Sequence, residues 1–135
     1  MRKILFRGKT ESGDWAYGYY AFAPKRTGMF GQTIRQADFD RHYILTMKYN
    51  LTKEVFPETV GQYTGLTDKN GNKIFEGDIM PVWENGEEYH YKVIYNGDCF
   101  MLSMLDSEQG SYPLSVKNSI SEVIGNIHDN KLEGF

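Results

Sequence analysis

Three Asn-Gly pairs, at Asn70-Gly71, Asn85-Gly86 and Asn96-Gly97, limit what this chain can fold into. Both residue types tolerate the positive φ that tight two-residue hairpin turns require, so each pair ends one strand and begins another. Between the last two pairs, Tyr89, Tyr91, Val93 and Tyr95 alternate with Glu88, His90 and Lys92. That is the period of a strand with two unlike faces. Ile79 to Trp83 reads as the strand before it, with Pro81 suited to an edge or a bulge because it lacks a donor. Phe100, Leu102 and Met104 share a face of the strand after it. Residues 78–105 therefore read as a three-stranded meander, the kind of unit that closes a small barrel.

The N-terminal half carries weaker signals of the same sort. Ile4 and Phe6 alternate with Lys3 and Arg7, as in a half-buried strand. Glu11-Ser12-Gly13-Asp14 is a turn, and Trp15, Tyr17 and Tyr19 then share a face opposite Ala16 and Gly18. This is a hairpin in which Gly18 lets another backbone approach. Pro24 to Gly28 reads as a loop, Met29 to Ile34 as a short strand, and Tyr43, Leu45 and Met47 as one face of a more buried strand. Asn50 and Thr52 mark a turn, and Val55-Phe56 leads into Pro57. Near the C-terminus, Ser119-Ile120-Ser121-Glu122 fits a capping box, while Gly125 and the β-branched run favour a strand, which together predict a short turn or helical piece at 118–122 before a strand at 122–127. Aromatic residues reach 15%, with 10 Tyr and 8 Phe, and such residues favour strands. The expected fold is mostly β with little helix.

A chain of 135 residues suits one domain, here with an N-terminal β lobe at about 1–60 and a barrel-like lobe at about 61–130. The net charge of −3 disfavours general nucleic-acid binding, but it is unevenly placed. Residues 1–60 hold ten Lys/Arg and six Asp/Glu, a balance of +4, while residues 61–135 hold five and twelve, a balance of −7. This asymmetry favours head-to-tail self-association or a basic patch near the N-terminal half. The lone Cys99 cannot form an internal disulfide, which fits a reducing cytosolic setting. The apolar run at the N-terminus is too short for a signal peptide, and no segment is long enough to span a bilayer.

No motif fixes a catalytic geometry. Glu58, Asp68, Glu76 and Asp78 are the prominent carboxylates; Asp68 and Asp78 read as turn caps. Glu58 and Glu76 remain as candidates for a carboxylate pair, which would need a fixed separation and split pKa values. His42, His90 and His128 lack metal-ligand spacing, and Asp68 to Asn72 lacks the later glycine and acidic ligand of a calcium loop. Gly61 to Leu66 lacks the lysine of a phosphate loop, so no cofactor is implied. Cys99 reads as a buried free thiol. Tyr89, Tyr91 and Tyr95 with Lys92 and Lys73 are the binding candidates, as a platform on which bases could stack. The nearby Glu84, Glu87 and Glu88 oppose phosphate.

The order of pieces resembles the YopX family of phage and prophage proteins. The matching pieces are Ile4-Leu5-Phe6-Arg7-Gly8-Lys9, Trp15-Ala16-Tyr17-Gly18, the long stretch from Pro57 through Leu66, Asp68-Lys69-Asn70-Gly71, Ile74-Phe75-Glu76-Gly77-Asp78-Ile79 and Glu122-Val123-Ile124-Gly125-Asn126-Ile127. The resemblance implies a mostly-β fold in a bacterial host cell and no particular reaction. Pro81 departs from it by sitting where similar chains run an uninterrupted strand, and residues 21–42 match nothing in it. Three classes of function follow, in order. The first is a non-catalytic, self-associating interaction protein with a second copy, or another phage or host protein, as partner. A nucleic-acid-binding β module and a carboxylate-dependent hydrolase are the alternatives. The stretch Pro57 to Ile79 is expected to join the two β portions.

Overall fold

The computed structural model describes residues 3–24, 40–46 and 51–129. The strand expected at Met29 to Ile34, most of the loop at Pro24 to Gly28, and the positions of Met47 and Asn50 lie outside the described residues. The chain forms two compact units, one from Ile4–Gly61 and one comprising Gln62 onward with the N-terminal residues through Lys3.

In the first unit β1 (Phe6–Lys9), β2 (Trp15–Ala23), β3 (Arg41–Thr46) and β4 (Thr52–Glu54) lie in the order β4-β3-β2-β1, all neighbours antiparallel. The Glu11–Asp14 turn forms as expected; Gly13 takes φ +90° and its N–H donates to Thr10 O. Gly18 meets its expectation too. A β-carbon there would lie 1.9 Å from the carbonyl oxygen of Leu45, so only glycine lets β2 and β3 pair at this point. Ala16, Ile44 and Val55 form the buried cluster, with Phe6 and Val60 packed against it.

The first strand departs from the expected half-burial. Ile4 precedes it and is exposed, while Leu5 and Arg7 are each 6% exposed. A charge is buried here because the Arg7 guanidinium lies 4.6 Å from the centre of the Trp15 ring, and its planar, weakly hydrated head packs as an aromatic partner would. A short 3-10 turn, Pro57–Thr59, ends the unit, and Thr59 Oγ1 accepts from Lys9 N–H at 2.8 Å.

The second unit begins with a hairpin of β5 (Gly61–Thr67) and β6 (Lys73–Phe75), followed by β7 (Asp78–Glu84), β8 (Glu87–Asn96), β9 (Cys99–Met104), β10 (Tyr112–Pro113), the helix α1 (Leu114–Lys117) and β11 (Gly125–Asn126). Strands β7 to β11 form an open five-stranded antiparallel sheet in the order β10-β9-β8-β7-β11. The expected meander is its centre; it does not close into a barrel. The β7–β8 turn has φ +52° at Asn85 and +81° at Gly86, as an Asn-Gly hairpin turn demands. β7 runs unbroken through Pro81, which pairs with His90. The reason is register. Ile79 O accepts from Ile124 N–H and Pro81 O from Ser121 Oγ, so the backbone groups of these two residues face away from β8 and no ladder bond is lost.

Ile74, Met80, Val82, Tyr91, Val93, Leu102 and Leu114 form this unit's core. Residues 118–120 form a turn, within the turn or helical piece expected at 118–122, and the α-helix itself lies earlier, at 114–117, because buried Leu114 anchors it to that core. The capping-box residues have other partners. Ser121 Oγ donates to Pro81 O at 2.6 Å, and Glu122 Oε2 accepts from Asn70 Nδ2 at 2.9 Å. Among the described residues, no helix is long and apolar enough to cross a membrane.

Asp68 ties this segment down. Its Oδ1 accepts the N–H groups of Asn70 and Asn72 and its Oδ2 that of Val123, at 2.9 to 3.0 Å. Burial pushes this carboxyl up, but the Val123, Asn72 and Asn70 N–H groups outweigh it and hold the carboxyl below its ordinary value. Its contribution to stability is thus complete above the unfolded value, about 3.9, and is lost as pH falls through the lower folded value. Asp68→Asn places a donor against at least one backbone donor and is expected to cost about 2 kcal/mol in chemical denaturation at neutral pH. The same variant should flatten the acid limb of the stability curve; an unchanged limb would show that another carboxylate governs it. Gly18→Ala should cost about 3 kcal/mol in the same assay, since its β-carbon meets backbone and not a movable side chain.

Candidate binding surfaces

The carboxylates singled out from sequence are largely engaged with backbone. Asp78 Oδ2 accepts Phe75 N–H at 2.8 Å, and Glu76 Oε1 accepts Gln62 N–H at 2.8 Å. Asp68 and Asp78 thus hold turns, as expected of them. Glu58 is exposed on the 3-10 turn of the first unit. Glu76 belongs to the second unit and lines a cleft of about 420 Å³ with Tyr95, Asp98, Cys99 and Phe100. Glu76 and Tyr95, singled out for different reasons, are brought together here.

Cys99 is exposed, not buried as expected. It pairs with Asn96 directly after the Gly97-Asp98 turn, so it lies at the strand end, before β9 reaches the core at Leu102.

The tyrosine face of β8 divides. Tyr91, opposite Met80 and Met104, is in the core, whereas Tyr89 and Tyr95 are exposed toward either end of the strand. Lys92 is also buried, and its ammonium donates to Glu108 Oε1 at 2.8 Å. Tyr91 and Lys92 are therefore not part of an open stacking surface. Lys73 lies 6.0 Å from the Tyr63 ring centre.

Sequence reasoning missed what Tyr91 does with its hydroxyl. It donates to Glu84 Oε1 across the β7–β8 hairpin, and Tyr112 also bonds Glu84. Lys117 Nζ sits 4.8 Å from the centre of the Tyr112 ring. The Tyr91 hydroxyl, then that of Tyr112, hold the Glu84 carboxyl below its ordinary value against burial, with help from the charge of Lys117. In return the bond to Glu84, then burial and the charge of Glu84, push Tyr91 up to about 12. A hint was available: Glu84 and Glu87 bracket a two-residue turn, and the alternation puts Tyr89 and Tyr91 on the face they share. Nothing local pointed to Tyr112.

Around this network the hairpin tip is exposed. Trp83 is 66% exposed. Tyr89 Oη donates to Glu87 Oε2 at 2.7 Å, and His90 Nε2 lies 3.0 Å from Glu88 Oε2.

The first unit offers a second surface. The register places Lys9, Arg7, Trp15, Tyr17, Tyr19, Leu45, Tyr43 and Arg41 on one face of its sheet. Tyr17, Leu45 and Tyr19 are exposed there, Tyr19 at 55%. On the other face Tyr20 stacks on His42 with Oη 2.6 Å from Nδ1, and Phe22 packs against the same imidazole. His42 also lines a cavity of about 790 Å³ with Lys53, Glu54, Phe56 and Pro57 among its walls. Among the described residues no group of three or more His, Cys, Asp or Glu is placed to hold a metal ion.

These features define a mostly β protein of two antiparallel units with exposed aromatic side chains on both. The chain belongs to the YopX family: the family model described as YopX protein matches residues 18–133. No curated protein matches it. The crystal structure of protein EF1440 from Enterococcus faecalis is similar, with a TM-score of 0.49 and 21% identity over 96% of each chain.

The Tyr91–Glu84 bond makes a spectroscopic prediction. A raised folded pKa means that its stabilisation is complete below about 10 and lost as pH rises through about 12. Tyrosinate absorbance should show one tyrosine ionising near pH 12 that is absent in Tyr91→Phe. In Glu84→Gln that ionisation should move down toward the ordinary value. If Glu84→Gln leaves it in place, burial and not the carboxylate is the cause.

Proposed function

We propose that this protein is a non-catalytic interaction protein that self-associates, of phage or prophage origin and acting inside a bacterial cell. The observation that carries this reading is the exposed aromatic face of β2 and β3, with Tyr17, Tyr19 and Leu45 side by side in the pairing register. Tyrosine is enriched at protein interfaces because its ring buries large area while the hydroxyl stays hydrated. A contiguous apolar patch of that kind on a small monomer marks an interaction surface. The opposite charges of the two halves of the chain supply the complement a second copy would need. Of the carboxylates in the central motif, Asp68, Glu76 and Asp78 each accept backbone N–H groups, which gives these three a structural role.

Light scattering on the purified chain over rising concentration tests the reading. Mass is expected to rise above that of one 15.6 kDa chain, and to fall back toward it as salt is added, because the attraction is partly between charges. Tyr19→Lys should lower the mass at a given concentration without changing the unfolding midpoint by more than a few degrees. A single-chain mass at every concentration and salt would sink the proposal.

A further inference from the structure

We infer that Asn85, at the turn between β7 and β8, is a site of spontaneous covalent modification, where the side-chain amide is converted to an aspartate or isoaspartate carboxylate while the chain is folded. The inference is independent of the self-association reading. It rests on how the three Asn-Gly peptides are held.

The reaction needs water as its sole co-reactant. The backbone nitrogen of the glycine attacks Cγ of the asparagine. The N–Cγ bond forms, the Cγ–Nδ2 bond breaks, and ammonia leaves with the proton of the backbone nitrogen. Water then opens the five-membered imide. Attack at Cγ breaks the new bond and gives aspartate; attack at the main-chain carbonyl carbon breaks the original peptide bond and gives isoaspartate. No electrons are gained or lost. Glycine favours the first step because it has no side chain to obstruct the approach. Closing the ring swings the Asn-Gly peptide plane, so any hydrogen bond which that plane makes must break first.

The three peptides differ in this respect. Asn70-Gly71 is fastened at both reacting groups: Gly71 N–H donates to Asp68 O at 3.0 Å, and Asn70 Nδ2 donates to Glu122 Oε2 at 2.9 Å. Asn96-Gly97 is held at its carbonyl, where Asn96 O accepts Asp98 N–H at 3.0 Å. Between Asn85 and Gly86, neither the carbonyl nor the N–H has a hydrogen-bond partner among the described residues, and the Asn85 amide has none there either. Both residues are exposed, and the pairing of Glu84 with Glu87 holds the hairpin on either side of this peptide and not through it. Glu84, Glu87 and Glu88 disfavour the anionic nitrogen that attacks, but Asp68 and Glu122 do the same at Asn70, and Asp98 at Asn96. Charge therefore does not decide between the three; hydrogen bonding does. Either product adds a negative charge beside exposed Trp83, and isoaspartate also lengthens the main chain of the turn by one carbon.

The test incubates the full-length chain at neutral and mildly alkaline pH, both folded and in urea. Each Asn-Gly peptide is followed by mass after digestion, with fragmentation separating aspartate from isoaspartate. In the folded chain Asn85 should convert first, about fivefold or more ahead of Asn70 and Asn96, the factor set by one hydrogen bond that must break. Its rate should rise with pH, because hydroxide removes the proton of the attacking nitrogen. In urea the three sites should draw level. Asn85→Asp keeps a residue that tolerates the turn and should remove the early phase of ammonia release from the folded chain. Asn70 or Asn96 converting as fast as Asn85 in the folded chain overturns the inference. So does conversion of Asn85 in urea alone, or an unchanged early phase in Asn85→Asp.

Discussion

One carboxylate organises the C-terminal irregular segment. Asp68 is buried, and both its oxygens accept backbone N–H groups, two from its own turn and one from Val123, 55 residues away. Around it, Lys69 N–H donates to Ser121 O, Asn118 Nδ2 to Thr67 O and Asn70 Nδ2 to Glu122. The segment from α1 to β11 has almost no regular structure, so its backbone groups need partners from elsewhere. The β5–β6 turn provides them. Ser121 then reaches Pro81, and Ile124 reaches Ile79, which sets the position of β11 against β7. Without the Asp68 carboxylate, the Asn70, Asn72 and Val123 N–H groups would lose their shared acceptor, and the turn its tie to the segment before β11.

A second division of labour runs along β8. Its odd-numbered side chains share a face, yet burial follows position along the strand as well as face. Tyr91 and Val93 are covered by Met80, Leu102 and Leu114, while Tyr89 and Tyr95 run past the edge of that core. The polar end of a buried tyrosine needs a partner, and Glu84 supplies it for both Tyr91 and Tyr112. The consequence is a rigid tip. The same bonds that satisfy the core hydroxyls hold Glu84 in place beside an exposed Trp83.

The turns were the most legible part of the fold. Asn70-Gly71 and Asn85-Gly86 dictate where strands end because few other residues accept those backbone angles, and Gly71, Gly86 and Asn85 all have positive φ. Gly18 was legible for the same local reason, a missing β-carbon. What the sequence could not show was any pairing set by distant residues. Alternation treats Arg7 as solvent-facing, and only the neighbouring strand places Trp15 where it can cover the guanidinium. The capping box at Ser119–Glu122 is a sound local helix signal, but Asn70 and Pro81 take its side chains first. Cys99 was misjudged because residue type predicts burial only on average, and a strand end beside a turn is outside the core whatever residue occupies it. Of the candidate site, Tyr89 and Tyr95 were legible as exposed aromatics; the second bond to Glu84 and the partner of Lys92 were not, since Tyr112 and Glu108 come from β10 and the loop before it.

The residues that link this chain to its family say more about architecture than about ligands. In the stretch from Pro57 to Ile79, Asp68 and Asp78 close turns, Glu76 accepts the Gln62 N–H, and Thr59 caps Lys9. Side chains bound to backbone in this way specify a fold, because moving any of them leaves a donor without an acceptor. They contribute little that a partner could recognise. The exposed groups stand elsewhere among the described residues: Trp83 with Glu87 and Glu88, these two bonded to Tyr89 and His90, at one hairpin, and Tyr17 and Tyr19 on the first unit's sheet. A motif rich in carboxylates and glycines invites comparison with an active-site loop. In this structure Asp68, Glu76 and Asp78 are instead engaged with backbone N–H groups that hold its turns.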